Sequence, residues 1–230
     1  MSPARRTEAV VMGASAGGWA AFSRMLTALP AGYPLPIAIV LHVHPGQGED
    51  FPQHLAPGCK IAVRSAQEKD PFLPGVVHFA PPDYHLLVEW DRTLSLSADP
   101  KVCHSRPSID VLFESAATVY GPGLLGVLLT GASSDGTEGI KRINELGGLT
   151  VVQDPDTAEH PVMPRSAILH ASPRRVLGLD AITQLLLDLA QRPHTPSPGF
   201  ERGAVPPERS RPRRQRRKYS SWTTSRKTWS

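Results

Sequence analysis

Three short polar segments follow apolar runs of strand-like composition, and each carries a side chain that could take part in catalysis. Ser15 lies in GASAGG at 13–18, His42 follows the run PIAIVL, and Asp135 lies in TGASSDG at 130–136. Serine, histidine and aspartate are the nucleophile, base and orienting acid of a hydrolytic triad. Because open parallel sheets bind ligands at the carboxyl ends of their strands, we expect these side chains to meet at one edge.

The segment around Ser15 matches the G-x-S-x-G pattern at 13–17. Its small residues permit a tight turn from strand to helix, and the helix N-terminus offers N–H groups to an oxyanion. The same pattern also fits a serine that caps a helix or a loop that binds phosphate. Taken alone, His42 is compatible with a structural histidine and Asp135 with a helix cap. The three residues together, each at a predicted strand end, favour the catalytic interpretation.

A nicotinamide-dependent dehydrogenase is the first rival interpretation of the glycine-rich turn. That function requires a third glycine where Trp19 stands, and an acid at the end of the second strand where His42 stands. A short-chain dehydrogenase also needs a tyrosine followed four residues later by lysine, and none of the four tyrosines has one. The sequence therefore excludes this oxidoreductase class.

Metal-dependent hydrolysis is the second rival, because His42 and His44 form an H-x-H pair. A metal site needs a third and a fourth ligand, and the remaining histidines and Asp135 lack diagnostic spacing. The only two cysteines, Cys59 and Cys103, provide neither zinc spacing nor a disulfide framework. We therefore expect neither a metal nor an organic cofactor.

The elements that must position these residues alternate between strands and helices. Apolar runs predict strands at 8–15, 36–43, 60–64, 76–80, 84–89, 93–97, 124–130, 149–154 and 175–179. Helical spacing predicts helices at 18–29, 107–121, 136–146, 164–170 and 180–191.

This alternation predicts an α/β fold: a doubly wound, mostly parallel sheet with helices on both faces. Strands 84–89 and 93–97 are separated by Asp91 and Arg92, and we expect them to pair as an antiparallel hairpin. Pro107 is expected at the first position of its helix, and Gly121 just past its end.

The charge of the chain is unevenly distributed. Residues 1–191 carry 14 Lys and Arg against 19 Asp and Glu, whereas residues 192–230 carry 11 against 2. The latter segment contains RPRRQRRK and almost no aliphatic residues, so we predict a catalytic domain at 1–191 and a disordered basic tail at 192–230. Such a tail either lacks a partner or binds nucleic acid or an acidic membrane. No apolar run is long enough for a signal peptide or a membrane span.

The motifs in combination resemble the catalytic domain of the chemotaxis receptor methylesterases, the CheB type. The resemblance rests on VVMGASAGGWAAFSRMLTALP and PIAIVLHVHPG, on PGVVHFAPPDYHLLVE and SRPSIDVLFESAA, and on GVLLTGASSDGTEGIKRINELGG and VVQDPDTAEHPVMPRSAI. It covers most of residues 8–190, in the family's order and spacing.

The resemblance implies a cytoplasmic serine hydrolase whose triad is Ser15, His42 and Asp135 and which needs no cofactor. It implies demethylation of γ-glutamyl methyl esters on the helical cytoplasmic domain of chemotaxis receptors, and deamidation of receptor glutamines in some members. The order Ser, His, Asp differs from that of α/β-hydrolases, in which the acid precedes the histidine. The alternative is a non-catalytic signalling or scaffold module that acts through its basic tail.

Several positions depart from the family pattern. Ala16 stands where threonine is usual and Ala132 where methionine is frequent, yet the backbone N–H of either residue could still bind an oxyanion. Arg106 and Met163 lie in family-like segments, and we expect them at the rim of the site, where Arg106 either attracts an acidic receptor helix or is an ordinary surface arginine. About seven residues precede the first strand. We therefore expect no receiver domain in this chain, and either no phosphorylation control or control by a separate protein.

Overall fold

The computed structural model describes residues 6–42 and 51–191. Nine strands occur in this part of the chain, and four of them follow one another without a helix between them. The strands are β1 (Ala9–Ala14), β2 (Ile37–Leu41), β3 (Ala62–Ser65), β4 (Val76–Phe79), β5 (His85–Val88), β6 (Leu94–Ser97), β7 (Leu124–Leu128), β8 (Leu149–Gln153) and β9 (Arg175–Leu177).

Six α-helices accompany these strands. They are α1 (Gly18–Ala28), α2 (Phe51–Leu55), α3 (Ile109–Tyr120), α4 (Thr137–Glu145), α5 (Val162–Ala171) and α6 (Leu179–Gln191). Single 3-10 turns span Ala56–Gly58, Gly121–Gly123 and Pro155–Thr157. None of the described helices is long and apolar enough to cross a membrane.

Seven strands form one parallel sheet in the order β3-β4-β2-β1-β7-β8-β9. The chain leaves β1 toward β2 on one side and leaves β7 toward β8 on the other, so the topology reverses between β1 and β7. Crevices at such a reversal are where open α/β sheets bind ligands. The sheet therefore predicts a site at the carboxyl ends of β1 and β7.

Two hydrophobic layers cover the faces of the sheet. Alternate residues of β1 point to opposite faces, so Val10 and Met12 pack with α1 and α6, while Val11 packs with α3, α4 and α5. All six residues of β1 are buried, as expected for a central strand covered on both faces. The strand ends beside this core are therefore held rigidly.

The predicted α/β class is confirmed, including the hairpin, in which β5 and β6 pair antiparallel. The prediction that Pro107 opens its helix was wrong: α3 begins at Ile109, and Ser108 before it is extended, with φ −111° and ψ 138°. The short helix α2 was not predicted. The predicted tail at 192–230 and His44 lie outside the described residues, and the domain boundary at 191 stays a prediction.

Candidate active site

Ser15 lies in the turn that joins β1 to α1. Its N–H donates to the carbonyl of Thr130, at 3.0 Å, and its own carbonyl accepts the N–H of Gly18, at 2.8 Å. Gly17 adopts the left-handed conformation, with φ 77°, and a Cβ there would lie 2.9 Å from Cβ of Glu159 and 3.0 Å from Oγ1 of Thr130. The turn thus requires glycine at position 17 both for its backbone conformation and for close packing.

His42 immediately follows β2, the strand beside β1. Ala14 and Leu41 are paired in the sheet register, so Ser15 and His42 are the next residues on two adjacent strands. The N–H of His42 donates to the carbonyl of Ala14, at 3.0 Å, which continues the ladder by one step. The imidazole is largely buried, and its Nε2 lies 2.8 Å from Oδ2 of Asp135.

Asp135 is fully buried and its carboxylate accepts five hydrogen bonds. Oδ2 accepts from Nε2 of His42 and from the N–H of Ile109, at 2.8 and 2.7 Å. Oδ1 accepts from Oγ of Ser108, at 2.9 Å, and from the N–H groups of Asp110 and Gly136, at 3.1 and 3.0 Å. Both oxygens are therefore fully engaged and the carboxylate is fixed in orientation.

The donors from Ser108, Ile109 and Asp110 belong to the first turn of α3. The Ser108 side chain does not cap its own helix, so Asp135 satisfies two of the free N–H groups at that end from outside. Burial alone would raise the pKa of Asp135, but the hydrogen bond and charge of His42 and these N–H groups lower it below its ordinary value. Asp135 is consequently an anion at neutral pH.

Asp110 is a second buried carboxyl group beside Asp135. Its Oδ1 accepts the N–H of Gly139 in α4, at 2.7 Å. Burial and then the negative charge of Asp135 raise the pKa of Asp110 to about 7, although the Gly139 hydrogen bond opposes this. The two neighbouring carboxyl groups thus have opposite pKa shifts, and near neutral pH a proton is partly retained on Asp110.

His85, at the start of β5, supports the same helix end. Its Nδ1 accepts the N–H of Ser108, at 3.1 Å, and its Nε2 lies 3.2 Å from the carbonyl of Pro100. Because a backbone N–H points at Nδ1, that nitrogen must be unprotonated, and Nε2 donates to Pro100. Burial and the charge of Arg106 lower the pKa of His85, although the Pro100 hydrogen bond and nearby carboxylates oppose this. The ring is therefore neutral.

Of the two alanines proposed for oxyanion binding, Ala16 directly follows Ser15 and Ala132 directly follows Gly131. Within residues 6–42 and 51–191, no acceptor pairs with the N–H of Ala16, Gly17 or Ala132. Gly131 contacts Ser15 closely, since a Cβ at residue 131 would lie 3.0 Å from Cβ of Ser15. Among the described residues, backbone donors without an acceptor thus follow Ser15 directly and follow Gly131, its close neighbour.

The expectation that Met163 and Arg106 lie at the rim of the site stays a prediction, and the structure shows what each side chain contacts. Met163 is fully buried, its N–H donates to the carbonyl of Gly131, and its sulfur would lie 2.7 Å from a Cβ there. It therefore forms the wall behind Gly131. Arg106 donates through Nη1 to the carbonyls of Ala98 and Asp99, at 2.9 and 3.1 Å. Its guanidinium thus holds the 98–99 backbone, and only a weak contact of 3.9 Å reaches the exposed Asp83.

One group of potential metal ligands occurs in the described part of the chain, where atoms of Cys103, Asp110 and Asp135 lie within 4.8 Å of one another. Both oxygens of Asp135 and one of Asp110 already accept hydrogen bonds. Burial and the neighbouring carboxylates raise the pKa of the Cys103 thiol, so it stays protonated. A metal would have to displace these hydrogen bonds and a proton, and the group is better described as support for the triad.

Four residues that hold the site together were not predicted from the sequence. Ser108 and Asp110 lie in the SRPSIDVLFESAA motif, His85 in the segment PPDYHLLVE, and Thr130 opens TGASSDG. Each belongs to a motif already identified, and this membership was the signal that could have marked them as functional. Their specific partners could not be read from the sequence, because most of the atoms they contact are backbone groups.

Comparison with known proteins bears on the family of the chain. The sequence profile described as CheB methylesterase matches residues 10–186. A Leptospira interrogans relative, provisionally named protein-glutamate methylesterase/protein-glutamine glutaminase, is 49% identical over 184 residues, covering 80% of this chain and 95% of its own. An Anaeromyxobacter dehalogenans protein with that name is 40% identical over 192 residues, and the match spans 83% of this chain but 56% of the longer relative.

A solved structure has the same fold. The CheB methylesterase catalytic domain of Thermotoga maritima superposes with a TM-score of 0.76 at 30% sequence identity, over 80% of this chain and 98% of that domain. With the profile match and the relatives, this similarity leads to one conclusion: the chain belongs to the CheB methylesterase family.

Proposed function

We propose that this protein is a serine methylesterase that hydrolyses γ-glutamyl methyl esters of chemotaxis receptors to glutamate and methanol. One observation carries the proposal: His42 is hydrogen-bonded through Nε2 to the buried anion Asp135, on the strand adjacent to Ser15. This pairing is the part of a triad that a purely structural domain does not need. The relatives' names supply the substrate class.

The reaction begins with attack of Ser15 Oγ on the ester carbonyl while His42 accepts the hydroxyl proton. Since Nε2 of His42 faces Asp135, Nδ1 is the nitrogen that receives this proton. Asp135 fixes the tautomer and stabilises the imidazolium. The backbone N–H groups of Ala16, Gly17 and Ala132 bind the oxyanion, and each donor contributes about 3 kcal/mol in the transition state.

The tetrahedral intermediate then collapses. His42 returns the proton to the methoxy oxygen, methanol leaves, and the glutamyl group stays esterified to Ser15. A water molecule, deprotonated by His42, attacks this acyl-enzyme and releases the glutamate carboxylate, which restores the serine. The same steps with an amide would release ammonia, which is the glutaminase activity in the relatives' names.

The partner proposed for this site is the helical cytoplasmic domain of a methyl-accepting receptor, and the proposed location is the cytoplasm. The Myxococcus xanthus relative FrzG is named a protein-glutamate methylesterase, is 37% identical over 178 residues, and is matched over 53% of its length. For regulation, both expected alternatives stay open: no phosphorylation control, or control by a separate protein. Both roles expected for Arg106, attraction of an acidic receptor helix or that of an ordinary surface arginine, stay open, since only its Nη1 binds the two carbonyl groups.

For the basic segment at 192–230, the proposal keeps two alternatives: an extension without a partner, or electrostatic binding to nucleic acid or an acidic membrane. A protein that ends at Gln191 should fold and hydrolyse a small ester as the full chain does. Binding of both forms to DNA and to anionic vesicles across a salt series separates the alternatives. Equal binding at every salt concentration identifies an inert extension.

An activity-based probe tests the enzyme against the non-catalytic alternative. A fluorophosphonate should label the protein on Ser15, and labelling should disappear in Ser15→Ala. Ser134→Ala is the matched control, because Ser134 is an exposed serine in the loop that leads to Asp135. Absence of labelling in the wild-type protein would favour the scaffold interpretation.

A further inference from the structure

Thr130 contacts the turn that carries Ser15, although it has no catalytic role in the proposed reaction. It lies just past β7 and is 2% exposed. Its Oγ1 donates to the carbonyl of Ala16, at 2.9 Å, and accepts the N–H of His160, at 2.9 Å. Its backbone carbonyl accepts the N–H of Ser15, at 3.0 Å. One residue thus holds both the turn and the segment that precedes α5.

The bond to Ala16 fixes the orientation of a peptide plane. In a trans peptide the C=O and the following N–H point in opposite directions. Holding the Ala16 carbonyl against Thr130 therefore turns the N–H of Gly17 away from the Thr130 hydroxyl. That N–H has no acceptor among the described residues, so it is free to meet an oxyanion.

The contact is also tight. The point at which a Cβ on Gly17 would lie is 3.0 Å from Oγ1 of Thr130 and 2.9 Å from Cβ of Glu159. The Thr130 hydroxyl also accepts the N–H of His160, the residue after Glu159. It therefore links the two side chains that crowd Gly17, those of Thr130 and Glu159. A second contact of that hydroxyl, to the His160 carbonyl, is longer at 3.4 Å.

We propose that Thr130 is a positioning residue: its hydroxyl holds the Ala16–Gly17 peptide so that the Gly17 N–H is aimed at the oxyanion. This inference rests on the proposed serine esterase function. It predicts that loss of the hydroxyl affects the chemical step more than substrate binding, because the oxyanion forms only in the transition state.

Thr150 provides a matched control. Its hydroxyl is also buried, donates one hydrogen bond, to Oδ1 of Asn144, and accepts one from a backbone N–H, that of Arg174. Thr150 belongs to β8 and contacts neither Ser15 nor the turn that follows it. Valine at position 130 or 150 removes the hydroxyl at nearly constant volume, so both variants suffer a comparable structural loss.

The experiment compares Thr130→Val, Thr130→Ser and Thr150→Val, with kcat and KM on a small ester, the rate of fluorophosphonate labelling, and thermal unfolding. Thr130→Val should lower kcat and the labelling rate by roughly 10–100-fold, with KM within about 3-fold. Thr130→Ser keeps the hydroxyl and should recover activity to within about 3-fold. Thr150→Val should keep the wild-type kcat and lose about as much thermal stability as Thr130→Val. Thr130→Ala is measured as well, in case the valine variant does not fold.

The outcomes separate this inference from the function on which it depends. If the wild-type protein is neither labelled nor active, the proposed function fails. If the wild type is labelled while Thr130→Val matches Thr150→Val in labelling rate and kcat, only the role of Thr130 is overturned. A rise in KM without a fall in kcat, or no recovery in Thr130→Ser, would also overturn it.

Discussion

Replacing Asp135 with asparagine should damage both catalysis and folding, because this carboxylate is at once a triad member and the cap of α3. Asparagine keeps one oxygen and replaces the other with an NH₂ group, which donates instead of accepting. If the NH₂ group took the Oδ1 position, two backbone donors, the N–H groups of Asp110 and Gly136, would lose their acceptor. If it took the Oδ2 position, only the N–H of Ile109 would lose its acceptor. The amide nitrogen should therefore occupy the Oδ2 position, facing His42.

The stability cost follows from one buried N–H that loses its acceptor. Such a group costs about 1–3 kcal/mol, and for a domain of this size each kcal/mol lowers Tm by about 2–4 °C. The expected fall in Tm is therefore about 2–12 °C. The catalytic cost follows from the tautomer, because Nε2 of His42 must now accept from the amide and Nδ1 becomes protonated. Turnover should fall by on the order of 10²–10⁴.

The assay combines thermal unfolding at neutral pH with ester hydrolysis for Asp135→Asn, Ser15→Ala and Asp91→Asn. Ser15→Ala should lose turnover at unchanged Tm, which separates catalysis from folding. Asp91→Asn is the control, since the Oδ1 that accepts from Thr93 is retained in asparagine. An Asp135→Asn protein with wild-type Tm, or with turnover within about 3-fold of wild type, would refute the capping and tautomer reasoning.

Three further predictions follow from the same geometry. Gly17→Ala should abolish most activity, because residue 17 has a positive φ and a Cβ there would be crowded. Gly32→Ala is the control: its φ is 69°, a Cβ there would have nothing within 4 Å, and the change should lower stability alone. Equal kinetics for the two variants would contradict this. Asp110 binds more protons in the folded than in the unfolded state between pH 4 and about 7, so its contribution to the unfolding free energy falls as pH rises through that window. Asp110→Asn should therefore raise Tm relative to wild type more at pH 8 than at pH 5, and a difference independent of pH would argue against it. EDTA should leave turnover unchanged, since the Asp135 oxygens are occupied by hydrogen bonds; inactivation that zinc reverses would revive a metal mechanism.

The fold and the convergence of His42 with Asp135 could be predicted because both depend on side-chain pattern. Continuous apolar strands alternate with helices, and such strands pair in parallel with their carboxyl ends on one edge. The meeting of the two side chains, from β2 and from the loop after β7, follows from that topology.

The support around Asp135 could not be predicted, because three of its five donors are backbone N–H groups, which every sequence offers. The start of α3 was misplaced for the same reason. Pro107 fits the first position of a helix, but the helix begins at Ile109, where a carboxylate distant in sequence accepts the free N–H groups. The burial of Met163 was not predicted either, since its N–H donates to the carbonyl of Gly131 and its side chain packs against that residue, neither of which the motif reveals.

Methanol release from a methylated chemotaxis receptor tests the central claim most directly. Purified wild-type protein should release methanol stoichiometrically with the receptor carboxylates it generates. Ser15→Ala should release none above background, and Ser134→Ala should match the wild type. Methanol release that survives Ser15→Ala, or a folded wild-type protein that labels on Ser15 but leaves the methylated receptor unchanged, would contradict the assignment of a serine methylesterase acting on receptors.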